Sequence, residues 1–78
     1  MWTNAYSFKT VGEFLASVRK ERGITQAEMA KTLGFSPVTL SAIETGKSVS
    51  SVKIERYMQM LGFRMAIVPK TAQVKVDE

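Results

Sequence analysis

Two short amphipathic segments, separated by one glycine and lying between Thr25 and Lys47, constrain this 78-residue chain more than any other feature. The first segment opens on Thr25, and Glu28 follows three residues later. Each of these side chains can therefore bond to the free backbone N–H of the other residue. The apolar residues that follow recur at helical spacing up to Gly34, where a residue without a Cβ can take the left-handed conformation that ends a helix. The pattern predicts a short helix that stops at Gly34.

A second short helix is predicted directly after this stop. Ser36 is a favoured N-cap, and Pro37 occupies the first helical position, where its missing N–H removes no helical hydrogen bond. Phe35 is an apolar residue that we expect to pack between the two helices, and Gly46 ends the second one. Two helices joined by a glycine turn at this spacing form a helix-turn-helix motif.

The residues of this motif resemble the helix-turn-helix of the lambdoid phage repressor and Cro superfamily, also called the XRE family. The resemblance rests on the pattern T-Q-x-E-[apolar]-A-x-x-L-G-[apolar]-S-x-x-T-[apolar]-S-x-[apolar]-E-x-G-K, which runs from Thr25 to Lys47. With the flanking helices it covers roughly residues 10–62, a typical length for a small domain. It implies sequence-specific binding to double-stranded DNA by a homodimer that represses transcription.

Composition narrows the class of protein further. The chain has no cysteine and no histidine, so thiolate metal sites, disulfides and the commonest general base are all absent. No apolar run approaches membrane-spanning length, and the first residues lack the pattern of a signal peptide, which predicts a cytoplasmic protein with no membrane partner. The net charge of +4 favours a polyanion such as nucleic acid. We therefore expect no enzyme activity, no cofactor and no metal.

The flanking sequence predicts two further helices. Thr10 and Glu13 repeat the capping-box pattern, so the first helix is predicted to begin at Thr10. Another helix is predicted between the serines at 50–51 and Gly62, with apolar residues at helical spacing. The expected fold class is mostly α: a four-helix, lambda-repressor-like helix-turn-helix domain with one C-terminal β-strand.

That strand is predicted at residues 63–68, where apolar side chains alternate with others until Pro69. A single strand needs partners for its backbone groups, and no convincing second strand precedes it. We therefore expect it to pair with the same strand of a second subunit in an intersubunit sheet. The predicted dimerisation residues are Phe63, Met65, Ala66, Ile67 and Val68.

Three regions are expected along the chain. Residues 1–9 form an N-terminal arm with three of the seven aromatic residues, which either rest on the body or touch DNA or a partner subunit. Residues 10–69 form the helix-turn-helix domain with its dimerisation strand. Residues 70–78 form a flexible tail.

The predicted DNA-binding face has few side chains that read bases strongly. If Leu40 and Ile43 face the core, the second helix of the motif presents hydroxyl and methyl groups to the major groove, and it lacks the Arg, Lys, Asn and Gln side chains that make bidentate base contacts. In the resembled family, the glutamine that matches Gln26 bonds a backbone phosphate and braces the recognition helix, and the positions of Lys47 and Ser48 lie near the DNA backbone. The candidate DNA-binding residues are Gln26, Ser36, Pro37, Val38, Thr39, Ser41, Ala42, Thr45, Lys47 and Ser48.

The resemblance also implies one structural ion pair. In the resembled repressors, an arginine of the first helix pairs with a glutamate near the end of the recognition helix, and the matching residues here are Arg19 and Glu44. A guanidinium can grip a carboxylate with two parallel bonds, which would lock the recognition helix onto the first helix. Capping accounts for Glu28, so Glu28 and Glu44 are not expected to form a catalytic pair.

Three functions stay open at this point. The helix–strand order, the small size and the short tail resemble HipB-type antitoxins, which repress their own operon and bind a HipA-type kinase toxin. A stand-alone phage or host regulator without a toxin fits the same motif. A protein-interaction module on a helix-turn-helix scaffold is the third possibility, because the recognition helix is poor in hydrogen-bonding side chains. For either regulator, a two-fold dimer predicts an inverted-repeat operator.

Overall fold

The computed structural model describes residues 7–64, which contain four α-helices and no strand. The helices are α1 (Phe8–Glu21), α2 (Gln26–Leu33), α3 (Pro37–Glu44) and α4 (Ser51–Met60). The predicted four-helix, mostly α fold is confirmed. Of the predicted dimerisation strand, Phe63 and Arg64 follow α4 in neither a helix nor a strand, and residues 65–68 lie outside the described residues. No helix within residues 7–64 is long and apolar enough to cross a membrane.

The prediction that α1 begins at a capping box on Thr10 is wrong. Ser7 is the N-cap, and its side chain accepts a hydrogen bond of 3.2 Å from the backbone N–H of Thr10. Thr10 lies inside the helix, and the Glu13 carboxylate lies 3.9 Å from the Lys9 amine. Serine and threonine are both favoured caps, so the Thr-x-x-Glu pattern alone could not decide between two candidate starts three residues apart. Part of the expected N-terminal arm is therefore helix.

The local signals at α2 and α3 are confirmed. The backbone N–H of Glu28 donates to the Thr25 hydroxyl, and the backbone N–H of Thr25 donates to the Glu28 carboxylate, both at 3.1 Å. Gly34 ends α2 with a φ of 74°, in the left-handed region that favours glycine. Ser36 caps α3, and Pro37 is its first residue. The helix-turn-helix is thus built largely from contacts within a few residues.

All four helices contribute to one apolar core behind α3. α1 and α2 both pack against α3. The rings of Phe14 and Phe63 meet edge to face with centroids 5.0 Å apart, so the segment after α4 closes one end of the core. The buried apolar side chains are Val11, Leu15, Val18, Met29, Ala30, Leu33, Leu40, Ile43, Ile54, Tyr57, Met58 and Leu61.

Arginine side chains tie α4 to the rest of the domain. The Arg56 guanidinium donates to the Leu33 carbonyl oxygen at 2.8 Å and lies 5.1 Å from the centre of the Phe35 ring. It therefore holds the turn of the helix-turn-helix through a hydrogen bond and a cation–π contact. At the C-cap of α4, the Leu61 carbonyl oxygen accepts a hydrogen bond of 2.8 Å from the Arg22 guanidinium.

Candidate nucleic-acid interface

α3 presents one face to the core and the opposite face to solvent. Leu40, Ile43 and Glu44 are buried. The predicted DNA-binding face depended on Leu40 and Ile43 facing the core, and both do. Val38, on the outer side, is 80% exposed. An apolar side chain exposed to this extent gains nothing from the domain's own core, so it is available to a partner surface.

The outer face of α3 forms one wall of a shallow groove. The groove is lined by Pro37, Val38, Ser41, Ala42, Thr45 and Lys47. All six of these residues are among the predicted DNA-binding residues. Ser36 and Thr39 lie at the N-terminal end of the same helix, and Ser48 follows Lys47. Gln26 does not line the groove, because it lies at the start of α2.

On α3 and its two cap residues, three of the four hydroxyls predicted to face DNA are engaged in local hydrogen bonds. The Ser36 hydroxyl donates to the Thr39 hydroxyl at 2.9 Å and accepts from the Thr39 backbone N–H at 3.1 Å. The Thr45 hydroxyl donates to the Ser41 carbonyl oxygen at 2.8 Å. Within residues 7–64, the Ser41 hydroxyl makes no such bond. The methyl groups of this face are therefore more freely available to a ligand than most of its hydroxyls.

The end of α3 sets the position of Lys47. Gly46 has a φ of 78°, so the chain turns sharply after the helix. The backbone N–H groups of Lys47 and Ser48 then donate to the Ala42 carbonyl oxygen at 2.8 and 3.0 Å. These bonds hold the exposed Lys47 at the edge of the groove, where its charge faces solvent.

Behind the groove, Glu44 and Arg19 form a bidentate ion pair. Arg19 Nε lies 2.7 Å from Glu44 Oε2, and Arg19 Nη2 lies 3.1 Å from Glu44 Oε1. The third nitrogen, Nη1, donates to the Ile24 carbonyl oxygen at 2.7 Å. Both charged residues are buried, at 5% and 7% exposure. The arrangement fastens the end of α3 to α1.

Two further side chains donate to the same carboxylate. Gln26 Nε2 donates to Glu44 Oε1 at 2.8 Å, so this side chain braces the recognition helix, as the family resemblance implied. The Tyr57 hydroxyl of α4 donates to Glu44 Oε2. Each of the four helices thus supplies one residue to this cluster, which we call the Glu44 cluster: Arg19, Gln26, Glu44 and Tyr57.

The Glu44 cluster favours a charged carboxylate and a neutral phenol. Burial alone would raise the pKa of Glu44, but hydrogen bonds from Arg19, Tyr57 and Gln26 outweigh it, so this pKa is lowered. Burial raises the pKa of Tyr57, and the neighbouring Glu44 carboxylate raises it further. The hydrogen bond to Glu44 raises the pKa of Arg19. Glu44 is therefore ionised at neutral pH, and Tyr57 keeps the proton that it donates.

Sequence reasoning missed the role of Tyr57, although one signal could have found it. Tyr57 lies within the predicted fourth helix, and the structure shows that it is fully buried. A buried tyrosine usually finds a hydrogen-bond partner for its hydroxyl. That rule predicts a polar partner, but it does not say which one, because the partner lies on another helix.

The carboxylates of the described residues form no metal-binding group. Within residues 7–64, no three Asp or Glu side chains cluster in a way that could hold a metal ion. Hydrogen bonds with Thr25 lower the pKa of Glu28, as its capping role requires. Glu28 and Glu44 thus have separate structural roles, as expected.

The helix-turn-helix domain family matches residues 10–66 of the chain. The chain belongs to this family. It is therefore a helix-turn-helix DNA-binding regulator and not an enzyme. A relative, the ImmF control region 10 kDa protein of Bacillus phage phi105, is 34% identical over 71 residues, which cover 90% of this chain and 79% of the relative.

Solved structures of HipB have the same fold. The chain is similar to HipB in a complex of a HipB variant with the O2 20mer, with a TM-score of 0.78 and 25% identity, covering 91% of this chain and 100% of that one. It is also similar in fold to a chain of the HipA–HipB–O2–O3 complex, with a TM-score of 0.77 and 24% identity over 90% of this chain and 100% of that one. The resemblance to XRE-type and HipB-type proteins expected from the sequence is thus confirmed.

Proposed function

We propose that this protein is a transcriptional repressor that binds specific sequences of double-stranded DNA as a homodimer. The observation that carries the proposal is the outer face of α3. It lines the groove from Pro37 to Lys47 and is held from behind by the Glu44 cluster. A rigid helix with one free face is the element that helix-turn-helix proteins insert into the major groove.

Base recognition on this face relies on shape and methyl contacts. Val38 and Ala42 offer apolar surface to the C5-methyl groups of thymine, and Ser41 is placed to reach a base edge or a nearby phosphate. Since most other hydroxyls of the face are engaged within α3, direct hydrogen-bond readout is limited. Sequence-dependent bending and groove width supply the remaining specificity.

Phosphate contacts fix the register of the domain on DNA. Lys47 supplies an exposed positive charge at the edge of the groove, and Ser48 lies next to it. Gln26 bonds to Glu44, so α2 approaches a phosphate mainly through the free backbone N–H groups of its first turn. Gln26 then contributes to phosphate binding by aligning α2 with α3.

The homodimer is proposed from the sequence pattern of residues 63–68. Pairing of this segment with its two-fold mate would satisfy the backbone groups of both strands and close the assembly. Two recognition helices linked in this way reach successive major grooves, roughly 34 Å apart. The operator is then an inverted repeat.

The test of this proposal is selection of duplexes from a random-sequence library by the purified protein, followed by footprinting on the DNA upstream of its own gene. We expect an inverted-repeat consensus, protection of a matching site and affinity that falls steeply with salt. Absence of salt-dependent duplex binding would contradict the proposal and favour a protein-interaction module on the same scaffold.

The proposal extends to an antitoxin that represses its own operon and binds a HipA-type kinase. Support comes from the fit to the whole HipB chain of a solved structure, and from a second similar structure, that of the HipA–HipB–O2–O3 complex. The phage relative supports the alternative, a stand-alone regulator without a toxin. A neighbouring gene for a HipA-type kinase, whose product co-purifies with this protein and whose toxicity it relieves, would establish the antitoxin. A lone gene with an operator would establish the stand-alone regulator.

A further inference from the structure

The Glu44 carboxylate receives hydrogen bonds from each of the other three helices. Arg19 comes from α1, Gln26 from α2 and Tyr57 from α4. The Tyr57 donor is the only one of these side chains that is completely buried, with an exposure of 0%. Through it, the last residue of α3 is tied to the helix that directly precedes the proposed dimerisation segment.

The position of Glu44 within α3 makes these tertiary bonds necessary. Glu44 is the final residue of the helix, where the partial negative charge of the helix dipole disfavours a carboxylate. Local helix energetics therefore do not explain a glutamate there. The bonds from other helices hold the carboxylate in place, and they also set the direction of the helix end that carries it.

The Tyr57 hydroxyl differs from the other donors in what it connects. Arg19 and Gln26 join α3 to helices that already pack against it. Apart from apolar packing, α4 contacts the motif through Arg56, which bonds the Leu33 carbonyl oxygen at the end of α2 and lies against the Phe35 ring. The Tyr57 hydroxyl is the polar link from α4 to α3 itself within residues 7–64.

We propose that Tyr57 is a positioning residue for DNA recognition, whose hydroxyl sets the orientation of α3 relative to α4. The inference rests on the proposed DNA-binding function. Because α4 leads into the proposed dimer contact, this bond also fixes how each recognition helix projects from the dimer. A specific site requires both helices in register, whereas contacts to phosphates alone tolerate a small rotation.

The test compares Tyr57→Phe with Ile54→Val. Both residues are buried on α4, but Ile54 makes no hydrogen bond to Glu44 and its substitution loses only one methyl group. The probe is a duplex selected by the wild-type protein from a random library, together with a scrambled duplex of equal length. Measurements are made well below the melting temperature of each variant, so that both are fully folded.

We expect Tyr57→Phe to weaken binding to the selected duplex about tenfold, the effect of losing one hydrogen bond to a charged group, and to leave scrambled-duplex binding unchanged. Ile54→Val should change the affinity for neither duplex. In a Glu44→Gln background, Tyr57→Phe should have a smaller effect, because the charged acceptor is gone. The proposal would be overturned if Tyr57→Phe weakened binding to the selected and the scrambled duplex equally. It would also be overturned if Ile54→Val, at the same loss of melting temperature, weakened binding to the selected duplex as much as Tyr57→Phe does.

A measurement without DNA separates this inference from the proposed function. Amide hydrogen exchange should become faster in Tyr57→Phe at the C-terminal half of α3, around Ile43 and Glu44, and stay unchanged in α2. Ile54→Val should leave α3 unchanged. If the wild-type protein selects no duplex, the DNA-binding proposal fails, and the exchange result alone decides whether Tyr57 positions α3. Unchanged exchange in α3 would overturn the positioning role.

Discussion

Gly12 of α1 lies directly against the backbone of Glu44 at the end of α3. A Cβ built on Gly12 would stand 2.8 Å from the Glu44 carbonyl carbon, and it would come closer still to the Ile43 carbonyl oxygen. Glycine inside a helix is usually unfavourable by about 1 kcal/mol relative to alanine. Here it permits the close packing of α1 and α3 that brings Arg19 within reach of Glu44.

Gly12→Ala should therefore destabilise the domain, although alanine is the better helix former. Overpacking at a backbone contact is expected to cost about 1–3 kcal/mol of unfolding free energy. Urea unfolding measures the change. Ser17→Ala, at an exposed position of the same helix, is the matched control and should be neutral or slightly stabilising. A stabilising Gly12→Ala would mean that α1 and α3 are farther apart than described.

The lowered pKa of Glu44 predicts a loss of stability in acid. A carboxylate whose pKa is lower in the folded state stabilises the protein above its unfolded pKa, which is near 4.5, and this contribution is lost as the pH falls through the folded value. Melting temperature should thus fall steeply below about pH 4.5. Glu44→Gln should be less stable at neutral pH and should depend much less on pH. The control is Glu28→Gln, which removes an exposed capping carboxylate and should retain most of the dependence of melting temperature on pH. If Glu44→Gln loses stability in acid as the wild-type protein does, the role of the ion pair is contradicted.

Lys47 is predicted to contact a DNA phosphate. Lys47→Ala should weaken binding to all duplexes about equally and reduce the slope of log affinity against log salt by roughly one. Lys31→Ala, which removes an exposed lysine of α2 outside the groove, should leave the slope unchanged. Fluorescence anisotropy titrations at several salt concentrations measure both slopes. A change of sequence preference in Lys47→Ala would instead indicate a base contact.

Val38 is predicted to touch a thymine methyl group. Val38→Ala should lower affinity for the selected duplex by about 1 kcal/mol, the scale of burying one methylene, with no loss of thermal stability. Val49→Ala is the control, because Val49 is 73% exposed but does not line the groove. Replacing thymine by uracil in each half-site should weaken binding by the wild-type protein at one position at least, and this effect should shrink in Val38→Ala. Insensitivity at every thymine would exclude the methyl contact.

Ala66→Pro tests the proposed dimer. Proline removes one backbone N–H from the ladder and fixes φ, which a paired strand tolerates poorly. The variant should become monomeric at micromolar concentration and lose tight binding to the inverted repeat. Sedimentation equilibrium and operator titration measure the two properties. A dimeric Ala66→Pro protein with intact DNA binding would place the dimer contact on the helices.

The amino-acid sequence by itself determined the local architecture. The capping box of Thr25 and Glu28, the stop at Gly34 and the start of α3 at Ser36 and Pro37 all depend on bonds within three or four residues. Such bonds can be inferred from spacing alone. The start of α1 was the exception, because two nearby residues, Ser7 and Thr10, were equally suited to cap it.

Only the tertiary structure decided how these helices pack against one another. Helical spacing placed Tyr57 in the fourth helix but did not connect its hydroxyl with Glu44, 13 residues earlier in the chain. It placed Gln26 at the start of α2 but did not show that its side chain turns to the same carboxylate. It gave no sign that Gly12 must lie against α3. Periodicity tells which face of a helix is buried, whereas the partner on that face depends on how separate helices pack, and that packing brings together residues far apart in sequence.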